Sequence, residues 1–215
     1  MTPLRTAIEG PVCAGKTTLA NGLRDYVGPT HTVIVPDYAD FVGGANMPSA
    51  DPASLVEERA ALEDLLEIED RRFRSFPAFF GDEATLRLID RSALTLLGHC
   101  SGLDARNPAV GSFLELGRSV VGTSSRAVLP QLIIYLDADL DTQVARDDGK
   151  FGPESIFLDP QLNEGFRSYF KSITSENDPA STLWLDARLS PAEILNEAIV
   201  FLSAGGNSPR PEIQI

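Results

Sequence analysis

The stretch Leu4-Arg5-Thr6-Ala7-Ile8-Glu9-Gly10-Pro11-Val12-Cys13-Ala14-Gly15-Lys16-Thr17-Thr18-Leu19-Ala20-Asn21-Gly22-Leu23 decides the fold. Gly10 to Thr17 is a complete G-x-x-x-x-G-K-T phosphate loop, the Walker A pattern. Leu4–Ile8 ahead of it is the short apolar run of a buried strand. Behind it, Leu19, Leu23, Tyr26 and Val27 carry the spacing of an amphipathic helix that starts at Lys16. A phosphate loop needs this setting. Gly10 and Gly15 let the backbone wrap a polyphosphate, with amides from Cys13, Ala14, Gly15, Lys16, Thr17 and Thr18 around it, and the helix N-terminus adds positive potential. Lys16 is placed to reach the β- and γ-phosphates, and the Thr17 hydroxyl to ligate Mg²⁺. ATP and Mg²⁺ are the expected cofactors.

Outward from this motif, apolar runs recur at Leu4–Ile8, Thr32–Val35, Thr85–Ile89, Leu132–Leu136 and Thr182–Leu185. Helical patterns separate them over Lys16–Tyr26, Ala53–Ser75, Ser92–Gly102, Pro108–Ser124, Asp139–Asp147, Pro160–Ser175 and Pro191–Ser203, the last with Ser190 as N-cap and proline at its first position. Strand and helix alternating in this way read as an α/β fold with a parallel sheet covered on both faces. No repeat or linker divides the chain, so one domain over residues 1–204 is expected. The Gly- and Pro-containing stretch 205–215 is expected to be a disordered tail.

The 215 residues allow one domain with a sizeable core. The net charge of −13 argues against a nucleic-acid-binding surface and is read as a solubility feature. An anionic substrate must still enter an acidic protein, which directs attention to cations at special positions. No apolar run approaches the ~20 residues that span a bilayer, and no signal-peptide pattern precedes the phosphate loop. A cytoplasmic location, with no membrane partner, is expected. Cys13 and Cys100 are the only cysteines, one of them inside the phosphate loop, so a structural disulfide is not expected. His31 and His99 belong to no metal-ligand cluster, and zinc chemistry has no support.

Charged residues in four segments stand out. In the Ala53–Ser75 helix, Leu62, Leu66, Phe73 and Phe76 form an apolar stripe if residue 69 is included, yet residue 69 is Glu, with Arg72 beside it. Buried charges need a partner or a ligand, so Glu69 and Arg72 read either as cleft-lining residues or as a structural ion pair. The third strand ends in Asp90-Arg91-Ser92. Ligands of parallel sheets bind outside the C-terminal strand ends, so Asp90 should hold Mg²⁺ or its waters or accept the proton of the attacking oxygen, and Arg91 should grip a phosphoryl group; an N-cap role for Asp90 or Ser92 is compatible with this. The second strand ends in Pro36-Asp37, which makes Asp37 a general base, a hydroxyl acceptor or the start of an Asx-turn. Arg146 and Lys150 lie in a Gly-rich segment at about 146–158 that reads as a lid or as a plain solvated loop.

Taken together, these residues resemble the P-loop nucleoside and nucleotide kinases of the thymidylate kinase and deoxynucleoside kinase group. The matching pieces are Ile8-Glu9-Gly10 through Lys16-Thr17-Thr18, Pro36-Asp37, Glu69 with Arg72, Asp90-Arg91-Ser92, Tyr135-Leu136 with Arg146, and Trp184-Leu185-Asp186-Ala187, in order over residues 4–203. The resemblance implies a three-layer P-loop NTPase fold with a five-stranded parallel sheet, ATP at the phosphate loop and the acceptor beside Asp90 and Arg91. Ser92 looks like the Glu-Arg-Ser of deoxynucleoside kinases, whereas Asp90 is thymidylate-kinase-like. The residues between the loop glycines are uncharged, and no Glu-Pro-Gly-Gly-Thr follows the second strand.

The reading is therefore transfer of the ATP γ-phosphoryl to a small nucleoside-like acceptor. Lys16, Asp37, Asp90, Arg91 and Arg146 form its catalytic set, Asp37, Glu69, Arg72 and Arg91 contact the acceptor, and Thr17 and Asp90 hold the metal. A metabolite or antibiotic kinase of the same fold, and a regulatory P-loop ATPase without a small acceptor, are the alternatives. The group is often dimeric, and apolar positions in Ser92–Ser124 offer a surface for a homodimer.

Overall fold

Each expected strand forms, within a residue at either end: β1 (Arg5–Glu9), β2 (Thr32–Val35), β3 (Leu86–Asp90), β4 (Leu132–Asp137) and β5 (Thr182–Asp186). The helices are α1 (Lys16–Val27), α2 (Tyr38–Val42), α3 (Leu55–Arg74), α4 (Ala93–Arg106), α5 (Phe113–Gly122), α6 (Leu140–Arg146), α7 (Pro160–Glu176) and α8 (Pro191–Gly205). The computed structural model describes residues 4–81, 84–152, 154–176 and 181–205; the expected tail, apart from Gly205, lies outside them, as does Pro153 of the lid segment. The short α2 has no counterpart in the sequence reading, because five residues give too few periods to register.

The strands pair in parallel, in the order β2-β3-β1-β4-β5. Ile8 of β1 lies opposite Asp90 of β3 and Ile134 of β4, so the phosphate loop leaves the middle of the sheet with the Asp90-Arg91 turn immediately beside it. All five residues of β3 are buried, as expected for a strand covered on both faces. Alternation within β4 divides the core. Ile133 and Tyr135 face a layer containing α4, α5 and α7, with Leu94, Leu97, Phe166 and Phe170. Ile134 and Leu136 face α1 and α8, with Leu19, Leu23, Ile194 and Ala198.

Two helix boundaries differ from expectation. The sequence reading ends α4 at Gly102, but the helix runs on to Arg106. Gly102 is there for close approach: a Cβ on it would lie 2.6 Å from the Leu162 carbonyl oxygen of α7, and one on Gly165 would lie 2.5 Å from the Ser101 carbonyl oxygen. The two backbones therefore cross closely, at the expense of some intrinsic helix propensity. Helix α5 begins at Phe113 rather than near Pro108. The Asp104 carboxylate accepts from the amides of Phe113 (2.6 Å) and Leu114 (3.1 Å), and Ser112 caps the helix by accepting from Glu115 N.

Within Ser92–Ser124, Leu94, Leu97, Cys100, Leu103, Phe113 and Val121 are buried within the chain, Leu114, Leu116 and Val120 are partly buried, and Val110 is exposed. Among the described residues, no helix is long and apolar enough to cross a membrane.

Candidate active site

The phosphate loop is shaped by backbone conformations that few side chains tolerate. Gly10 has φ +138°, and a Cβ there would lie 2.4 Å from the Leu136 carbonyl oxygen. Gly15 has φ +96° and serves as the N-cap of α1, where no side chain competes for the first amides of the helix. Cys13 carries φ +57° in the middle of the loop, and Ala14 is buried beside it. Thr17 and Thr18 occupy the exposed first turn of α1. Lys16 is buried beneath the loop and donates from Nζ to the Pro11 carbonyl at 2.6 Å. Burial, then the repulsion of Arg91, brings its pKa down to about 8. A bound polyphosphate would offer this ammonium the anionic partner that a carbonyl only approximates.

At the end of β3 the expected neighbours meet. Thr17 Oγ1 donates to Asp90 Oδ2 at 2.8 Å. The other carboxylate oxygen, Asp90 Oδ1, is buried and has no hydrogen-bond partner among the described residues. Burial holds the Asp90 carboxyl above the usual range. A hydroxyl and a half-satisfied carboxylate side by side beside the phosphate loop fit Mg²⁺, which takes one or two protein oxygens and completes its shell with phosphate and water. No cluster of three His, Cys, Asp or Glu able to hold a metal occurs among the described residues.

Arg91 has a left-handed backbone, φ +65°, and donates from Nε to Asp37 Oδ2 at 2.9 Å. Asp37 also accepts from Ala39 N as the N-cap of α2, so the Asx-turn and the partnership with Arg91 coexist in one side chain. Burial opposes ionisation of Asp37, but Arg91 and then Lys16 outweigh it and hold the carboxyl below its ordinary range. The site thus has one carboxylate kept ionised and another, Asp90, held up by burial.

Glu69 and Arg72 lie one layer behind the cleft wall rather than on it. Both are fully buried. Arg72 Nη1 donates to Glu69 Oε2 at 2.7 Å, and Nη2 donates to the carbonyls of Asp90 (3.1 Å) and Arg91 (3.0 Å). Its guanidinium stacks over the Tyr38 ring, 3.9 Å from the centroid. Burial pushes the Glu69 carboxyl up to about 7 despite the adjacent guanidinium. Of the two roles open from sequence, this geometry is that of an ion pair bracing the Asp90-Arg91 turn from beneath.

Arg146 sits on the donor side. It donates to the Ala187 carbonyl at 2.7 Å and, at 3.5 Å, to that of Ala14, linking the phosphate loop to the turn after β5. From the 146–158 segment, Lys150, Phe151 and Phe157 line the cleft.

A cavity of about 460 Å³ opens from this cluster. Pro11, Val12, Asp37 and Arg91 line one part of it, and Glu58, Leu62, Leu65, His99, Phe157 and Phe166 another. Two contributors were missed in the sequence. Glu9 is completely buried at the end of β1 and accepts from Ser92 N (2.9 Å), Ser92 Oγ (2.6 Å) and Thr95 Oγ1, tying the start of α4 to the phosphate loop. The signal was a carboxylate ending an apolar strand. Glu58, the other, is buried in the cavity wall, where its Oε1 accepts from the Cys100 thiol at 3.2 Å; Glu57 and Arg59 flank it in sequence, and nothing local marks it.

No family model matches the sequence, and none of the curated proteins matches it. Solved structures do. A thymidylate kinase structure from Candida albicans superposes with a TM-score of 0.72 at 14% identity, covering 99% of each chain. Deoxyadenosine kinase from M. mycoides, solved with dCMP and a flexible dCDP, gives a TM-score of 0.69 at 13% identity over 94% of this chain and 100% of that one. The same enzyme with bound dATP gives 0.62 at 15%, over 93% and 99%. The fold is that of the thymidylate and deoxynucleoside kinases. At these identities the likeness concerns architecture, and the chemistry rests on the residues.

Proposed function

We propose that this chain is an ATP-dependent kinase that transfers the γ-phosphoryl group to a nucleoside or nucleoside monophosphate. One observation carries the reading: Pro11 and Val12 of the phosphate loop and the Asp37–Arg91 pair line one cavity large enough for a small acceptor, and the Thr17–Asp90 pair lies next to Arg91 in sequence. The solved neighbours, a thymidylate kinase and a deoxyadenosine kinase, support it.

In this reading the loop amides and Lys16 hold the ATP phosphates, and Thr17 and Asp90 hold Mg²⁺, which supplies charge neutralisation at the phosphates. Asp37, ionised and bonded to Arg91, takes the proton of the acceptor hydroxyl as its oxygen bonds to the γ-phosphorus and ADP leaves. Arg91 neutralises charge on the transferring group. The Glu69–Arg72 pair positions these two residues, and the 146–158 segment closes over the cleft, with Arg146 on the donor side and Lys150 above the acceptor. An ionised Asp37 at the transfer end suits a neutral hydroxyl better than a second phosphate, so a nucleoside is favoured over a monophosphate. The two free cysteines fit activity in the cytoplasm.

The test is ATP turnover measured with a panel of nucleosides and monophosphates. Acceptor-stimulated ADP formation is expected, and Lys16→Ala should lower it by about 10²-fold or more while the protein stays folded. Slow hydrolysis that no acceptor stimulates would instead identify a regulatory ATPase. Stimulation only by non-nucleoside hydroxyls would identify a metabolite kinase.

A further inference from the structure

Part of the cavity wall is a connection rather than a regular element. Residues 43–54 join α2 to α3, and Gly44, Met47, Pro48, Ser49 and Ala50 of this strap line the cavity. Its ends are tied locally. Asn46 Nδ2 donates to the Val42 carbonyl at 2.7 Å, and Ala53 N donates to Glu57 Oε2 at 2.8 Å. Between those ends the strap meets a tightly packed block. Helices α4 and α7 cross with their backbones close together at Gly102 and Gly165, and Ser101 Oγ donates to the Gly165 carbonyl at 2.9 Å.

Two residues of α4 fasten the strap to that block. His99 and Arg106 are seven positions apart, about two helical turns, so they share a face. His99 Nε2 lies 2.8 Å from the Ala50 carbonyl, which only accepts, so this nitrogen carries the proton. Burial lowers the His99 pKa, so the ring is uncharged. Arg106, one turn beyond Gly102, donates from Nη1 to Asp51 Oδ1, and its Nε lies 3.2 Å from Asp159 Oδ2. Asp159 belongs to the block, because it accepts from Gln161 N (2.8 Å) and Leu162 N (2.9 Å) at the start of α7. Asp51 belongs to the strap and is 53% exposed. One guanidinium therefore holds a carboxylate of the strap and a carboxylate of the block together. Without it, two like charges would be left facing each other. Arg106 and Asp159 are themselves partly exposed, so both ion pairs are weak and screened by salt. Such a fastening can open and close.

We propose that Arg106 is a positioning residue that latches the strap over the cavity, so that a nucleoside enters and leaves when Asp51 lets go of the guanidinium. This rests on the kinase reading for what passes beneath the strap. The His99 Nε2 proton reports the latch directly, since its bond to Ala50 breaks when the strap lifts. His31, the only other histidine, is exposed and serves as the reference.

The experiment follows solvent exchange of that proton by NMR on the full chain without ligand, at low and about tenfold higher salt. The proteins are the wild type, Arg106→Gln, Arg106→Lys and the double variant Arg106→Gln/Asp51→Asn. Exchange should be about tenfold faster in Arg106→Gln, where Asp51 and Asp159 repel, and within about threefold of the wild type in Arg106→Lys, which keeps the charge. Salt should speed exchange in the wild type and slow it in Arg106→Gln, because it screens attraction in one and repulsion in the other. Adding Asp51→Asn to Arg106→Gln should slow exchange again, since the repulsion is gone. In stopped-flow binding of 2-aminopurine deoxyriboside, a fluorescent nucleoside, Arg106→Gln should raise association and dissociation rates together by about tenfold and leave affinity within about threefold. A gate behaves in this way and a damaged site does not.

A wild-type proton lost to solvent too fast to observe, exchange indifferent to Arg106, a salt response of one sign in both proteins, or affinity lost with association unchanged would each overturn the latch. Arg106-dependent exchange in a protein that binds no nucleoside would sink the kinase reading and leave the latch standing. Acceptor-stimulated turnover with exchange indifferent to Arg106 would do the reverse.

Discussion

The two ends of the cavity are built from different materials. The phosphate-loop end is main chain: seven consecutive positions, Gly10 to Lys16, held between β1, α1 and the Leu136 carbonyl, with amides whose direction the backbone sets. The other end is side chain: Asp37 and Arg91 follow the ends of β2 and β3, and Glu58, His99 and Phe166 come from α3, α4 and α7, far apart in sequence. A backbone site tolerates varied side chains but not a changed turn. A side-chain site keeps its scaffold and changes its ligand one substitution at a time.

That contrast breaks most visibly at Gly10. Gly10→Ala should cost about 3 kcal/mol or more in denaturant unfolding and abolish the ATP-induced thermal shift, since the new Cβ meets the Leu136 carbonyl oxygen at φ +138°. Gly15→Ala sharpens the point: nothing lies within 4 Å of its Cβ, so only the left-handed backbone is strained and about 1 kcal/mol is expected. On the acceptor side, Asp37→Asn should lower turnover of a nucleoside by about 10²- to 10³-fold with the ATP thermal shift unchanged. A monophosphate acceptor would be spared that loss, so the same variant separates the two acceptor classes.

The next effect depends on pH. Lys16 has a folded pKa near 8, below its ordinary value, so the unfolded chain holds that proton to higher pH than the folded one. Its contribution to stability of the free protein therefore rises with pH from about 8 to about 10.5. ATP needs the charged form, so titrations should show affinity about tenfold weaker at pH 9 than at pH 7. The smallest effect is at Glu58. Its carboxyl titrates near 7 when folded and near 4.5 when not, so the folded state keeps a proton that the unfolded chain releases, and stability falls as pH rises across that window. Glu58→Leu should recover about 1 kcal/mol at pH 8, read from chemical denaturation of the free protein.

Sequence made the donor end legible because its chemistry is contiguous: a strand, a glycine turn and a helix start announce one another within twenty residues. The ends of β2 and β3 were legible for a related reason, since parallel sheets bind ligands at that edge, and Asp37, Asp90 and Arg91 fall on it. For Glu69 and Arg72 the charged break in an apolar stripe identified buried groups but not their partners, which are carbonyls of a turn that no pattern in α3 encodes. Glu58 was invisible. It sits among Glu57, Arg59 and other surface residues of α3, and its burial comes from Cys100 and the α4 wall, contributed more than forty positions later.

Arg91 holds a left-handed backbone that glycine would adopt without strain, kept in place by Asp37 at its side chain and Arg72 at its carbonyl. Any search for hardier versions of this protein that ranks substitutions by conformational relief alone would select glycine at that position early. It would relieve the backbone but leave the Asp37 carboxylate without its guanidinium. Backbone relief and side-chain pairing thus pull in opposite directions at a single residue.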